Sequence, residues 1–234
     1  MNNFKLLLLG LCVMMCACST QTSTRQTNEY GTNWQWEKGT IVVETPERPA
    51  GQKSVLGLTT PKLEAVRVGF VGLGMRGPGA VERFTYIPGT QVVALCDYEE
   101  ARADKCQELL KKASMPKAAV YSGDKGYEEL CKRDDIDLVY IAADWLHHFP
   151  VAKCALENGK NVAIEVPSAM NLQECWDLIN LSESTRKHCF ILENCCYDLF
   201  EMNTLNMAQH GVFGEVIRAQ GAYIHNLSPF WDHY

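Results

Sequence analysis

A glycine-rich turn, a carboxylate at fixed spacing and a pair of adjacent histidines are the residues of this sequence best placed to do chemistry. Gly72-Leu73-Gly74-Met75-Arg76-Gly77 follows the apolar run Val66–Val71 and opens a stretch of helical character. Such a turn suits a pyrophosphate. Gly72 permits the tight bend, Gly74 lets phosphate approach the backbone, and Gly77 lets the helix pack close to the strand. Free N–H groups and the dipole at the helix start favour the anion. Asp97 closes the next apolar run twenty residues beyond Gly77, where a carboxylate can accept from ribose hydroxyls. Glu99 and Glu100 follow it, and that acidic cluster would repel a 2′-phosphate, so NAD is expected rather than NADP. Met75 and Arg76 lie at the turn, Arg76 either facing phosphate or standing as a solvated helix-start cation. The alternative for the whole motif is glycines turning a nucleotide-free sheet, against which stands the context of strand, helix and Asp97.

Elements that would position these groups follow from the pattern. Apolar runs at 66–71, 91–96, 118–121, 137–142 and 162–164 read as strands. Between them, helices are expected from the glycine turn to about Ile87, then over 98–113, 127–133 and 147–157, with Asn158-Gly159 as a stop. Alternating strands and helices imply βαβ units and a parallel sheet covered on both faces. The fold class is therefore α/β, a doubly wound nucleotide-binding (Rossmann) domain over residues 62–190. Phe190–Leu192 adds a strand, Phe200–Gln209 a helix ended by Gly211, and Val216–Ile224 a further strand at the start of a second domain, 191–234.

The length of 234 residues is about one and a half domains at roughly 150 residues each. A net charge of −6 argues against a nucleic-acid partner, which would need a basic footprint. Residues 1–18 read as a signal peptide: Lys5, an apolar stretch from Leu6 to Ala17, then Met15-Cys16-Ala17-Cys18, a lipobox in which Cys18 would be lipidated. A plain secretory signal or an uncleaved anchor is the alternative. On the first reading the protein is exported and meets a bacterial membrane only through its N-terminal lipid, facing the periplasm or cell surface. Residues 19–61 read as a tether, in which Trp34, Trp36 and Ile41–Val43 mark a segment that would dock as a sheet edge. Of the eight cysteines beyond the leader, none makes a C-x-x-C, so most are expected as small buried hydrophobes and no metal site is indicated.

Ala143-Asp-Trp145-Leu-His147-His148, Ala155-Leu-Glu-Asn-Gly-Lys160-Asn-Val162 and Glu165-Val166-Pro167 resemble the Gfo/Idh/MocA superfamily. His148 matches the superfamily histidine, eleven residues before Gly159. Val166 departs from the pattern, standing where the superfamily carries a lysine beside nicotinamide and substrate. With Gly74–Gly77, Glu193-Asn-Cys-Cys-Tyr197 and Gly221–Asn226, the Glu-Val-Pro form is similar to glycoside hydrolase family 109, bacterial NAD-dependent α-N-acetylgalactosaminidases.

That resemblance implies a glycan substrate with terminal α-linked N-acetylgalactosamine. It also implies hydrolysis by oxidation at C3, elimination, addition of water and reduction, with NAD regenerated each cycle. It assigns Met75, Arg76, Asp97, Trp145, Leu146, His147, His148, Glu165, Val166 and Asn194 to the cofactor, Tyr223 to the substrate, and leaves the catalytic acid and base unassigned. His148 could instead be a helix-start or core histidine, Glu165 a salt-bridge partner, and Asn194 a turn residue. Tyr223 could be a strand aromatic packing on its neighbour. Two other functions stay open: a superfamily sugar or cyclitol dehydrogenase with net NADH production, and an inactive nucleotide- or glycan-binding remnant. Superfamily members often oligomerise through the second-domain sheet, so a homo-oligomer is an implied state of the full-length protein. The second domain reads as incomplete, and the chain is expected to hold NAD without turning over glycoside.

Overall fold

The computed structural model describes residues 26–27, 33–43 and 46–222, with 224, 226 and 228. The expected signal peptide and lipidated Cys18, and Tyr223, lie outside the described residues. The chain divides into two units, Met1–Leu192 and Glu193–Tyr234.

The first unit holds a six-stranded parallel sheet. Its strands are β4 (Val66–Val71), β5 (Thr90–Asp97), β6 (Ala119–Ser122), β7 (Leu138–Ile141), β8 (Asn161–Ile164) and β9 (Cys189–Ile191), ordered β6-β5-β4-β7-β8-β9. Helices α1 (Gly77–Phe84), α2 (Ala101–Lys112), α3 (Gly126–Cys131), α4 (Trp145–Glu157) and α5 (Leu172–Thr185) connect them. The strands are apolar on both faces because both faces are covered. Val68, Phe70 and Leu95 pack with Ala80 and Val81 of α1 and Cys106 and Leu110 of α2. Val71, Val139 and Ile164 pack on the other face with Leu130 of α3, Leu156 of α4 and Leu178 of α5. Each large side chain so buried contributes about 1.5–3 kcal/mol. Strand order reverses at β4, whose neighbours β5 and β7 carry the chain away in opposite directions. A crevice therefore opens at the carboxyl ends of these strands.

Helix limits differ from expectation for local reasons. α1 ends at Phe84 rather than near Ile87, because Thr85, Tyr86 and Ile87 donate to carbonyls three residues back and tighten the last turn. α4 begins at Trp145 rather than His147, because Asp144 caps it. α5 had no counterpart in the sequence reading. Its start is a reciprocal cap, with Glu174 N–H donating to Asn171 Oδ1 at 2.9 Å and Glu174 Oε2 accepting from Met170 N–H at 2.8 Å.

Arg67 and Asp137 tie the starts of β4 and β7. Arg67 Nε and Nη2 donate to the two carboxylate oxygens at 2.9 and 2.7 Å. These bonds hold the Asp137 carboxyl below the usual range. A depressed folded-state pKa gives stability that is complete above the unfolded value, about 4, and is lost as pH falls through the folded value. Replacing Asp137 by Asn is expected to lower stability at neutral pH and to flatten its decline below about pH 4, as read from urea midpoints across pH.

The segment expected as a tether is structured in part. β1 (Gln26–Thr27), β2 (Asn33–Glu37) and β3 (Thr40–Val43) form a separate antiparallel sheet. Trp34, Trp36 and Ile41–Val43 therefore pair among themselves and add no edge to the large sheet. Docking falls to the residues after them. Arg48 donates to both oxygens of the buried Glu183 at 2.8 and 3.0 Å, Gln52 donates to the Asn180 carbonyl, and Arg186 reaches the carbonyls of Lys53 and Ser54. Replacing Arg48 by Ala leaves the Glu183 carboxylate buried without its cation. Native-state protease cleavage within 46–60 is expected to quicken several-fold, while the far-ultraviolet circular dichroism of the sheet stays unchanged.

In the second unit, α6 (Leu199–Gln209) is exposed on all sides, and Gly211 follows it at a φ of 71°. The strand expected over 216–224 is absent among its described residues, which enter no ladder. A single extended segment has no neighbour to pair its backbone groups, so it gains nothing from strand geometry.

Candidate cofactor site

The glycine turn spans the crevice. Gly72 N–H donates to the Cys96 carbonyl at 2.9 Å, and its φ of 92° is left-handed. A β-carbon on Gly72 would strike the backbone of Ala142 and Ala143, and one on Gly77 would strike the Gly72 carbonyl. Both glycines are required by the protein's own packing. Gly74 differs: it is exposed, and a β-carbon there would meet only Arg102 Nη1, at an ordinary 3.6 Å. Its smallness is useful only to something approaching from outside. Among the described residues, the N–H groups of Gly74, Met75 and Arg76 have no partner, and no side chain caps α1. Three unpaired donors over bare backbone beside a helix start fit a diphosphate.

Asp97 sits beneath this turn with only 6% of its surface exposed. Oδ2 accepts from Leu73 N–H at 2.7 Å, while Oδ1 accepts from Glu99 N–H at 3.0 Å and Arg102 Nη1 at 3.3 Å. The carboxylate therefore holds the glycine loop to the start of α2 and keeps some acceptor capacity for a ribose hydroxyl. Arg102 also pairs with Glu99 at 3.0 Å. The acidic cluster is thus partly neutralised by a cation the sequence reading passed over, on the first turn of α2, five residues from Asp97.

Beyond β7, Asp144 Oδ1 accepts from Leu146 N–H at 3.0 Å and Oδ2 pairs with His147 Nδ1 at 2.6 Å. Burial pushes the Asp144 carboxyl up, but the bonds from His147 and the backbone outweigh it and hold it below the usual range. Trp145 and Leu146 are exposed at 59% and 73%. His148 is different, with 1% exposure and both ring nitrogens on carbonyl oxygens, Nδ1 with Pro167 at 2.7 Å and Nε2 with Ala143 at 2.9 Å. It has no face left for a ligand in this conformation and instead braces the loop after β7 against the loop after β8. Glu165 is half-buried at the end of β8, and Val166 is exposed beside it.

The glycine turn, Asp97, Trp145–His148 and Glu165–Val166 thus follow four neighbouring strands at one end of the sheet. Asn194 lies in the second unit and is exposed. Among the described residues no three His, Cys, Asp or Glu side chains are grouped to hold a metal ion. The eight described cysteines are free thiols. Cys96, Cys106 and Cys131 are buried, Cys154 and Cys189 partly so, and Cys175, Cys195 and Cys196 are exposed, fewer buried than expected.

Residues 66–192 match the family described as Gfo/Idh/MocA, "Oxidoreductase family, NAD-binding Rossmann fold". The chain belongs to that family. This Gfo/Idh/MocA domain is similar over the whole chain to glycosyl hydrolase family 109 protein 5 of Phocaeicola vulgatus, at 83% identity and 45% of that protein's length. It is 58% identical to glycosyl hydrolase family 109 protein 1 of Bacteroides thetaiotaomicron over 97% of the chain and 47% of that protein. The chain thus spans about half the length of the curated relatives it matches. Among solved structures, myo-inositol dehydrogenase of Lactobacillus casei, in complex with NAD(H) and myo-inositol, superposes with a TM-score of 0.57 at 23% identity, covering 64% of this chain and 43% of that one. An NAD-binding oxidoreductase of Klebsiella pneumoniae gives 0.55 at 21% identity, covering 64% and 40%. At these identities the likeness is one of fold.

Proposed function

We propose that this Gfo/Idh/MocA chain supplies the cofactor-binding part of an NAD-dependent glycosidase that removes terminal α-linked N-acetylgalactosamine from glycans. The observation that carries the reading is 83% identity, over the whole chain, to a protein named as glycosyl hydrolase family 109. When bound, NAD+ supplies reversible oxidation at C3 of the sugar, so that the glycosidic bond is broken by elimination and water addition without net redox change. The N–H groups of Gly74, Met75 and Arg76 hold the diphosphate, with Arg76 adding its charge, and Asp97 takes the adenosine ribose. Trp145, Leu146 and His147 wall the crevice, and His148 sets their loop. Glu165 faces the nicotinamide-side ribose. Val166 carries no exchangeable proton, so proton transfer at the sugar falls to other groups. The family resemblance further assigns Asn194 to the cofactor and Tyr223 to the substrate. With Cys18 lipidated, the enzyme is exported and held at a membrane surface.

Retained NAD+ in the purified chain, detected by mass spectrometry after denaturation, tests the cofactor. The activity is tested by incubating the full-length protein with NAD+ and p-nitrophenyl α-N-acetylgalactosaminide. Release of nitrophenol without accumulating NADH is expected. Stoichiometric NADH from free sugars, with no glycoside cleavage, would replace this reading by a sugar dehydrogenase.

A further inference from the structure

Tyr140 carries a buried hydroxyl that the packing around it does not require. The residue lies on β7 and is 5% exposed. Its ring stacks on Phe70 with centroids 5.0 Å apart and meets Phe84 edge-on at 5.7 Å. An apolar ring of the same size would fill that space equally well. The hydroxyl instead donates to Glu165 Oε1 at 3.1 Å, with the positive charge of Arg83 of α1 nearby. Burial first, then the negative charge of Glu165, pushes the phenol up to about 12, so it remains a donor at any working pH. Oε2 of Glu165 accepts no hydrogen bond from any described residue, and the carboxylate follows β8 at the open end of the sheet.

We propose that Tyr140 is a positioning residue, which through its hydroxyl fixes the Glu165 carboxylate to receive the nicotinamide-side ribose of a bound dinucleotide. The inference rests on the NAD reading above. A carboxylate on a flexible stem can turn through several rotamers, and a ribose diol needs acceptors at one spacing. Clamping Oε1 from below leaves Oε2 and the second lone pair of Oε1 in a set place. The Phe70 and Phe84 contacts keep the phenol from following the carboxylate if it swings.

Titration calorimetry of the full chain with NAD+ and with ADP tests this, since ADP carries the adenosine and diphosphate but no nicotinamide riboside. Tyr140→Phe is expected to weaken NAD+ binding about tenfold and to leave ADP binding within about twofold. Glu165→Gln should weaken NAD+ similarly, and the double variant should be no worse than the worse single one. Unchanged NAD+ affinity in Tyr140→Phe, an equal loss for both ligands, or additive losses would overturn the inference. If the parent chain binds neither ligand, the cofactor reading itself fails and takes the inference with it. Parent binding of both, with no selective loss, sinks the inference alone.

Discussion

Replacing Asp97 by Ala is expected to empty the chain of NAD and to lower its stability in one stroke. The carboxylate accepts from Leu73 N–H, Glu99 N–H and Arg102 while 5% of its side chain is exposed. Truncation strands the Leu73 N–H in a residue that is itself 2% exposed. A buried donor left without an acceptor costs about 1–3 kcal/mol, and loss of the charge-assisted bonds adds to that. A total near 3 kcal/mol is expected in a denaturant titration. The ligand effect is larger in proportion, because the same change removes the ribose acceptor and loosens the loop that holds the diphosphate. Affinity for NAD+ should fall at least about a hundredfold. Asn at this position keeps one acceptor oxygen but turns an NH2 group toward other donors, so an intermediate loss is expected. Unchanged cofactor occupancy in Asp97→Ala would mean that the turn and its carboxylate have been assigned the wrong ligand.

The second large effect separates two glycines of one motif. Gly72→Ala forces a side chain into a φ of 92° and drives its β-carbon into the Ala142–Ala143 backbone, which cannot move without pulling β7. Strain at positive φ alone costs of order 1–3 kcal/mol, and the backbone collision adds to it. A melting temperature at least about 10 °C lower is expected. Gly74→Ala meets nothing closer than the end of a flexible arginine at 3.6 Å. Its melting temperature should match the parent's, while NAD+ binding falls by about a hundredfold or more because the added methyl stands where the diphosphate must come. A Gly74→Ala variant that binds NAD+ like the parent would refute the placement of the phosphates. Comparing the two variants divides what the motif does for the fold from what it does for a ligand.

Much of this was legible in the chain. Val-rich apolar runs such as Val66–Val71, alternating with helical stretches, read as strands covered on both faces, and Asn158-Gly159 marked where α4 stops. The glycine turn and Asp97, read with the strand before them and the helix after, pointed to this end of the sheet as the candidate cofactor site. Other features were hidden because they depend on contacts across the fold. His148 reads as a cofactor-side residue before it reads as a strut, and its bonds to the carbonyls of Ala143 and Pro167 show the bracing role. Arg102 looks like any helix-surface cation until Asp97 and Glu99 are found beside it. Tyr140 reads as a strand aromatic until Glu165, 25 residues on, is found at its hydroxyl. α5 could have been found from Asn171 and Glu174, whose three-residue spacing is a helix-start signature. The strand expected over 216–224 was read from local pattern, and pairing is not a local property.

The strap at residues 48–54 bears on how the first unit folds and comes apart. Arg48 and Glu183 are 135 residues apart in the chain. Closing so long a loop is entropically unfavourable until α5 already stands against a finished sheet. The pairing is therefore expected to form after the rate-limiting barrier to folding and to break before the return crossing is complete. Interactions formed on that side of the barrier leave the folding rate alone and slow unfolding. The strap is a latch whose effect is measured in the lifetime of the native state.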